Sequence, residues 1–531
     1  MTFVLRIVVV LLTLAGAQHA GAADFAKLVN ALPHGSYHER ADVVREIGKT
    51  GNPRAVEVLQ ALANDDLKVM ADGTVVIVDD KTGAAVGAVE GASLGTPSAD
   101  SLTRVRVNNM VRRAIRTATG MLTLRSPDPA KRLAAARDAL RSASPDQIEA
   151  LDAAIGAETD AGVKALLTEA RAAAVLKTDA ATTEKVAAIR LLEARGDEAA
   201  RAALSPLATA KDPEIARAVT SALASIAETQ RMWRLAQNVW YGLSLGSVLM
   251  LAAVGLAITF GVMGVINMAH GELVMLGAYT TFVVQQVIRA DAPWLFGWSL
   301  AIAAPLAFVV AGAVGIAIER GIVRHLYGRP LETLLATWGV SLILQQAVRT
   351  IFGPDNRDVG NPGWMSGAFP LGQMQVTWNR LWILIFAFAV FAALLFVLKR
   401  TPIGLQMRAV TQNRAMAANM GIRTGRVDAL TFGLGSAIAG LAGVALSQID
   451  NVSPNLGQNY IVDSFMVVVF GGAGNIWGTM AGGFALGIAN KFLEPFTGAV
   501  LGKIVILVGI ILFIQKRPRG LFAVKGRAVE A

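Results

Sequence analysis

Hydrophobic and polar positions divide the chain into two parts with different patterns. Up to about residue 230, short amphipathic stretches recur, and Pro, Gly or Asp separates each stretch from the next. Beyond Arg234, long uncharged runs replace these stretches. Apolar residues at helical spacing indicate amphipathic helices, and long apolar runs indicate membrane helices. The pattern therefore predicts an all-α chain with a polytopic membrane domain at its C-terminal end.

The first part is predicted to be a domain of short helices over residues 23–235. Eight stretches carry the amphipathic pattern: Asp42–Gly48, Pro53–Ala63, Ala130–Arg141, Pro145–Ile155, Val163–Leu176, Thr183–Ala194, Asp197–Leu207 and Pro213–Ile226. Short helices joined by short polar turns are typical of an α-solenoid similar to HEAT repeats. Between them, Val75–Val78 should form a small β-hairpin around either Asp72-Gly73 or Asp79–Gly83.

The second part, residues 236–527, is predicted to cross a membrane several times. Its uncharged runs are Leu235–Ala269, Ala292–Ile318, Thr333–Val348, Leu381–Leu398, Ala429–Ile449 and Ser464–Asn490, while Pro495–Gln515 contains only Lys503 as a charge. A spanning helix needs about 20 apolar residues, so the first run holds one span and the start of the next. Seven spans with a re-entrant piece around Tyr460–Gly474, or nine spans, both fit this pattern.

Charge separates the same two parts. Residues 1–235 contain 29 Lys and Arg and 28 Asp and Glu, whereas residues 236–531 contain 20 and 11. A basic, apolar half is typical of a membrane protein with positive cytoplasmic loops, and a nucleic-acid partner is not expected. With no Cys, the chain has neither a disulfide framework nor a thiolate metal site.

The basic loops predict the orientation in the membrane. Glu319–Pro330, Lys399–Arg426 and Lys516–Arg527 are rich in Lys and Arg and should be cytoplasmic. The loop Gly353–Arg380, which contains two Asp and many Gly, Pro and Trp residues, should lie outside. An outside start near Arg234 and an inside tail then require an odd number of crossings.

The N-terminus is predicted to be a secretory signal over residues 1–22. Arg6 precedes an apolar run from Ile7 to about Ala17, and Ala20 and Ala22 provide an A-x-A cleavage pattern. An uncleaved anchor is the alternative. Under either interpretation, the helical domain that follows should lie outside the cytoplasm, in the periplasm.

Polar residues within the apolar runs are the candidates for a translocation path. Asn267, His270 and Glu272 interrupt one apolar region, and ionisable residues in such positions usually face a cavity or a partner helix. Alternatively, Asn267 caps a helix beginning near Met268, with Glu272 in its first turn. Further candidates on one helical side are Thr337, Ser341 and Gln345.

The basic loop is predicted to carry a short amphipathic helix over residues 405–420 that ends at Gly421. Such a helix could dock a soluble partner or lie on anionic lipid. No enzyme motif is present: H-E-x-x-H is absent, and no G-x-S-x-G has plausible partners. We therefore expect no catalytic residue, no metal and no cofactor.

Several separated motifs resemble the branched-chain amino acid type of ABC transporter permease. They are INMAHGELVMLGAY, RAVTQNRAMAANMGI, SFMVVVFGGAGNIWGTMAGG and KRPRGLF, and the resemblance covers roughly residues 236–527. Within that family, the preceding soluble extension and the stretches NPGWMSG and IDNVSPNLGQNYIVDSFMVVVFGG look most like the urea permease subunits.

This resemblance implies a non-enzymatic permease subunit in the bacterial inner membrane that carries a small neutral solute, urea. It implies four kinds of partner: a paralogous permease subunit, two ATP-binding cassette subunits, a periplasmic solute-binding protein and the lipid bilayer. It also implies an ATPase-coupling loop, whose candidate residues are Gly404, Arg408, Asn413, Arg414, Met416, Ala417 and Gly421. Relatives often carry an acidic residue where this loop has Gln412-Asn413.

Two alternative functions remain open at this point. One is branched-chain amino acid transport by the same kind of permease. The other is a membrane-anchored scaffold or sensor that uses the helical-repeat domain to bind a partner. Polar breaks in the spans and the coupling-type loop favour transport.

Overall fold

The structure is a computed structural model that describes residues 24–79, 82–98, 101–518 and 520–522. The predicted signal, residues 1–22, lies outside the described residues. The chain is mostly helical and divides into two compact units, residues 1–230 and residues 231–531. Each unit is described separately below.

The first unit consists of short helices and one small sheet. Its helices are α1 (residues 24–31), α2 (Tyr37–Lys49), α3 (Ala55–Ala63), α4 (Asn109–Thr123), α5 (Pro129–Ser142), α6 (Ile148–Ala157), α7 (Ala161–Val175), α8 (Thr182–Arg195), α9 (Glu198–Leu204) and the start of α10 (Pro213–Met263). They enclose two hydrophobic cores. The core around Leu59 joins α1–α4 and the sheet, and the core around Leu167 joins the helices from α5 onward.

Polar residues between the amphipathic stretches set the helix starts. Ser36 and Glu39 form a reciprocal capping box at α2. Asp128, Asp160 and Asp197 accept backbone N–H bonds at the starts of α5, α7 and α9. Seven of the eight predicted helices are confirmed with shifts of a few residues at their ends. The eighth, predicted to end at Ile226, starts at Pro213 as predicted but continues to Met263 as α10. The HEAT-like repeat and the location outside the cytoplasm stay predictions.

The predicted hairpin is part of a larger antiparallel sheet. Strands β1 (Leu67–Met70), β2 (Val75–Val78), β3 (Ala85–Gly87) and β4 (Leu102–Arg104) lie in the order β3-β2-β1-β4. One turn at Asp72-Gly73 joins β1 to β2, and residues 79–84 join β2 to β3. Both alternative hairpins are therefore present.

The second unit is a bundle of long helices. After α10 they are α11 (His270–Asp291), α12 (Ser299–Gly321), α13 (Pro330–Phe352), α14 (Trp378–Arg400), α15 (Pro402–Gln412), α16 (Arg414–Asn419), α17 (Thr424–Leu446), α18 (Leu456–Gly471) and α19 (Ile476–Lys516). A two-stranded antiparallel ribbon, β5 (Ala368–Leu371) and β6 (Met374–Thr377), precedes α14. A continuous apolar core joins α10, α11, α13, α14 and α17.

Six helical segments within the described residues are long and apolar enough to cross a membrane. They are Pro213–Met263, His270–Asp291, Pro293–His325, Trp378–Arg400, Thr424–Leu446 and Ile476–Lys516. Helix α18 is apolar but has only 16 residues, and the 23-residue α13 is more polar. The last segment, α19, bends at Gly498, where φ is 77° and ψ is 167°.

The bend at Gly498 turns α19 into two legs with opposite directions. Gly478 and Gly482 of the first leg approach Gly471 of α18, which places this leg antiparallel to α18. In the second leg, Lys503 contacts Asp463 and Phe513 contacts Phe470, so this leg runs parallel to α18. The six segments become nine passes through the bundle among the described residues when α19 is counted as two helices and α13 and α18 are added.

Gly277, Gly440 and Gly443 allow a close crossing between α11 and α17. A Cβ on Gly277 of α11 would lie 2.0 Å from the carbonyl oxygen of Gly440 in α17. A Cβ on Gly443 would lie 2.0 Å from the carbonyl oxygen of Val274. Small residues allow such backbone approaches where helices pack in lipid. The α11–α17 pair is therefore a fixed element beside the polar residues described next.

Candidate translocation site

The chain between α10 and α11 is not helical, and its polar side chains are buried. Asn267 is 0% exposed, and its Oδ1 accepts a hydrogen bond of 3.0 Å from the N–H of Ala269. Helix α11 begins at His270, two residues after the predicted start, and its N-cap is Ala269, so the predicted cap at Asn267 is wrong. Asn267 instead closes a turn just before the helix. The ring Nε2 of His270 lies 2.8 Å from the carbonyl oxygen of Ala252, which ties α11 to α10.

Glu272 lies in the first turn of α11 and is 1% exposed. Its Oε1 accepts a hydrogen bond of 3.0 Å from the Ser341 hydroxyl. Its Oε2 has no hydrogen-bond partner, and no basic side chain lies within ion-pair distance among the described residues. A buried carboxylate with one free oxygen is a strong hydrogen-bond acceptor.

The three candidates on α13 all face this region. The hydroxyl of Thr337 accepts a hydrogen bond of 3.1 Å from the N–H of Met268. Ser341, one turn later, contacts Glu272, and Gln345, a further turn on, donates to Oδ1 of Asn455 at 2.9 Å. Residues four apart lie on the same helix face, so one face of α13 makes all three contacts. The structure thus brings the six predicted path candidates into one region.

Residues at the start of α18 complete the polar cluster and were not predicted. Asn455 immediately precedes α18, and its Oδ1 accepts hydrogen bonds from both Gln345 and Arg349 at 2.9 Å. Gln458 donates to Oε1 of Gln345 at 3.5 Å. In the sequence, Asn455 and Gln458 could have been recognised as two amides at the start of a short apolar run. We call Glu272, Ser341, Gln345, Asn455 and Gln458 the polar cluster.

A charged pair next to the polar cluster fixes α18 against the last helix. Lys503 Nζ lies 2.8 Å from Oδ2 of Asp463, and only 7% of the Asp463 side chain is exposed. Tyr460 donates to Oδ2 of Asp450 at 3.0 Å. An ion pair with one buried partner resists separation, because either charge left alone in a low-dielectric site is costly.

The predicted coupling helix is two helices instead of one. Asn413 has an extended backbone and interrupts the predicted helix, so α15 ends at Gln412 and α16 begins at Arg414. Asn413 is the N-cap of α16, since its Oδ1 accepts from the N–H of Met416 at 2.9 Å. Asn and Asp favour such caps, which explains the break. Gly421 has a φ of 86° and follows the end of α16, as predicted.

Several coupling candidates hold the loop against the bundle. Arg414 pairs with Asp428, which is 0% exposed, and its guanidinium lies 4.6 Å from the ring centre of Tyr327. Burial raises the pKa of the Tyr327 phenol above its usual range. Arg408 donates to the carbonyl oxygen of Leu398, and the backbone of Gly404 packs on the same residue. These side chains position the loop.

Two methionines of the loop project from it. Met416 is 63% exposed and Met420 is 82% exposed, whereas Ala417 between them is 5% exposed. Large apolar side chains with this exposure are typical of protein interfaces, in which Met is enriched. We call Met416 and Met420 the exposed methionine pair.

Comparison with known proteins places this second unit in a family. The family profile described as "Branched-chain amino acid transport system / permease component" matches residues 238–514. The permease protein LivH of Escherichia coli, from a high-affinity branched-chain amino acid transport system, is 33% identical over 295 residues, which cover 54% of this chain and 94% of LivH. BraD of Pseudomonas aeruginosa, a permease protein of a system with the same description, is 30% identical over 292 residues and 94% of its length.

A more distant relative, the ribose import permease protein RbsC of Escherichia coli, is 27% identical over 297 residues, or 53% of this chain and 86% of RbsC. No solved structure matches the chain. The family match covers the helices that carry the polar cluster, the coupling-type loop and the short helix α18. The chain therefore belongs to the branched-chain amino acid transport permease family and is a permease subunit of an ABC-type transporter.

Proposed function

We propose that the chain is the permease subunit of an ATP-driven importer that carries urea across the bacterial inner membrane. The observation that supports this most is the polar cluster, in which a hydroxyl donates to one buried carboxylate and three amides hydrogen-bond to one another one helical turn further along α13. Intramembrane polar groups of this kind usually mark a substrate path. The motifs shared with urea permease subunits point to the same solute.

The chemistry of the polar cluster suits a small amide. Urea is neutral, with two NH₂ groups that donate hydrogen bonds and one carbonyl oxygen that accepts them. The free Oε2 of Glu272 can accept from the NH₂ groups. The amide NH₂ of Gln345 or Gln458 can donate to the carbonyl oxygen. A site built on hydrogen bonds discriminates against solutes that lack matching groups.

Transport of a branched-chain amino acid is the second candidate. LivH and BraD belong to transport systems for those substrates. Glu272 could hold the ammonium group of an amino acid, and Arg349, which contacts Asn455 at 2.9 Å, could hold the carboxylate. The two candidates therefore differ in whether the charges of Glu272 and Arg349 meet opposite charges on the solute.

ATP hydrolysis is assigned to two separate ATP-binding subunits that dock on α15 and α16. The exposed methionine pair gives the apolar contact, and Arg408 and Arg414 hold the loop in place. A paralogous permease subunit would complete the membrane part, and a periplasmic binding protein would deliver the solute. The first unit is assigned to the periplasm, as a HEAT-like domain, on the basis of the signal and the basic loops.

Uptake of labelled solutes separates the two candidates. The chain would be produced with its partner subunits in cells that lack their own urea and leucine importers. We expect labelled urea to accumulate, and an excess of unlabelled leucine should not compete. A matched strain with an ATPase subunit that cannot hydrolyse ATP provides the control. Leucine uptake without urea uptake would favour the second candidate. If neither solute is taken up, both candidates are contradicted.

A further inference from the structure

The first unit contains a basic cleft at the seam between its two hydrophobic cores. The cleft has a volume of about 1030 Å³ and is lined by residues of α2, α3, α4, α5 and the turn that precedes α6. The wall formed by α4 contains residues of the core around Leu59, and the wall formed by α5 contains residues of the core around Leu167. Concave seams of roughly 300–1,000 Å³ between packed bodies are preferred places for small ligands.

Helix α4 gives the cleft an unusual concentration of donors. Residues 101–127 contain six Arg and no acidic residue, in a unit that is otherwise nearly neutral. Arg113 and Arg116 line the cleft one turn apart, and no carboxylate lies within ion-pair distance of either among the described residues. Thr119, a further turn on, also lines the cleft, and its buried hydroxyl has no hydrogen-bond partner within the described part of the chain.

The other charged residues of the cleft do not neutralise α4. Arg45 pairs with Asp42 at 2.6 Å, and Arg141 lies 3.7 Å from Asp138. Asp138 and Asp146 line the opposite wall. The lining still contains more Arg than Asp, and Arg113 and Arg116, which are unpaired within the described residues, lie on α4. Gly120 leaves the cleft open beside Arg116 and Thr119, since a Cβ on Gly120 would meet nothing within 4 Å.

We propose that this cleft is a binding site for a small molecule that carries an oxyanion, either a carboxylate or a phosphate. Two guanidinium groups on one helix face offer donors only, and the Thr119 hydroxyl beside them can also donate. Planar guanidinium groups match carboxylate and phosphate oxygens bidentately. A concave cleft with walls on both sides favours a small ligand over a flat acidic protein surface. The site is independent of the polar cluster and does not rest on the proposed transport function.

The test measures binding to the full chain in phosphatidylcholine nanodiscs by calorimetry. The probes are citrate and inorganic phosphate, with glycerol as the neutral control. We expect saturable binding of at least one of the two anions. Binding should weaken by at least about tenfold in Arg113→Gln and Arg116→Gln, because each removes charge-assisted hydrogen bonds. Arg112→Gln, on the same helix but outside the cleft, should bind as the parent does.

A second variant blocks the cleft without removing charge. Gly120→Leu should fit, since Gly120 lies inside α4 with open space beside it, and it should prevent anion binding. Failure of both anions to bind the parent chain below about 10 mM, or equal binding by all four variants, would overturn the proposal. Competition by nanodiscs containing phosphatidylglycerol would support the site and identify a lipid headgroup as its oxyanion source, and absence of competition would support a free solute.

Discussion

The hydroxyl of Ser341 donates a hydrogen bond to Oε1 of Glu272 at 3.0 Å, although the two residues are 69 positions apart. Both side chains are buried, and the contact joins α13 to the first turn of α11. A buried carboxylate needs such a donor, because an unsatisfied polar group in an apolar region is costly. Its second oxygen is also buried and has no hydrogen-bond partner in the described part of the chain.

The exposed methionine pair should couple ATP hydrolysis to uptake. Met416→Glu combined with Met420→Glu is expected to stop uptake while the transporter still reaches the membrane, because both side chains are exposed and their loss leaves no cavity. Met420→Leu, the conservative control, should transport normally. Normal uptake by the double variant, measured beside ATP hydrolysis, would contradict docking at this surface.

Ala417, between the two methionines, should respond differently. It is 5% exposed, so Ala417→Glu would bury a charge and should lower the amount of folded protein in the membrane. Quantitative immunoblotting of membranes measures this loss. A well-folded Ala417→Glu variant that is merely uncoupled would show that the loop packs differently from the structure.

The α11–α17 crossing should not tolerate a larger residue at Gly277. A Cβ there would lie 2.0 Å from a backbone oxygen, so Gly277→Ala should destabilise the bundle by about 1–3 kcal/mol through overpacking. Gly339→Ala in α13 is the matched control, because its Cβ would meet nothing within 4 Å. The control should be neutral or stabilising by about 0.4–1 kcal/mol. Unfolding in detergent measures both, and equal free energies of unfolding would argue against the close crossing.

Glu158 should make the stability of the first unit depend on acid pH. Hydrogen bonding to the Arg132 side chain, followed by the backbone N–H of Asp160, lowers the pKa of Glu158 from 4.5 to about 2. A lowered folded-state pKa stabilises the fold above pH 4.5, and that contribution is lost as the pH falls towards 2. Hydrogen exchange near α5 and α6 in the full chain should show this loss in the parent and a smaller one in Glu158→Gln.

Glu149→Gln serves as the control for that comparison, since Glu149 lies on an exposed face of α6. It should keep the pH dependence of the parent chain. If Glu158→Gln and the parent lose protection in parallel over this pH range, the bond between Arg132 and Glu158 is not its source.

The first unit should lie outside the cytoplasm. An alkaline phosphatase fused after Leu207 is expected to be active, because the enzyme folds only after export, and a fluorescent reporter that needs the cytoplasm should be dark there. Fusions after Gln412, at the end of α15, should give the opposite pair of results. A bright cytoplasmic reporter at Leu207 would reverse the predicted orientation.

Local signals explain why much of the fold could be predicted from the sequence. Asp128, Asp160 and Asp197 cap helices whose apolar spacing is visible in the chain, so their positions follow from neighbouring residues. The helix of the basic loop was predicted as one piece because its residues favour helix throughout. The side chain of Asn413, which caps α16, divides it.

Contacts between distant segments explain what the sequence could not supply. Thr337, Ser341 and Gln345 were recognisable as polar residues on one helix face, but their partners were not. Asn455 meets Gln345 across 110 positions, and only the folded bundle brings them together. The reversal at Gly498 was likewise hidden, because a glycine in an apolar run indicates packing as readily as a turn.

The most direct test of the proposed path is solute uptake by variants of Glu272 and Ser341. Glu272→Gln keeps the size of the side chain and removes its charge, and Ser341→Ala removes the hydroxyl that donates to it. Each variant should assemble normally with the ATP-binding subunits. Each should lower the uptake of labelled urea by more than about tenfold, and a tenfold loss corresponds to about 1.4 kcal/mol. Parental uptake rates in both variants, with normal assembly, would contradict a translocation path at the polar cluster.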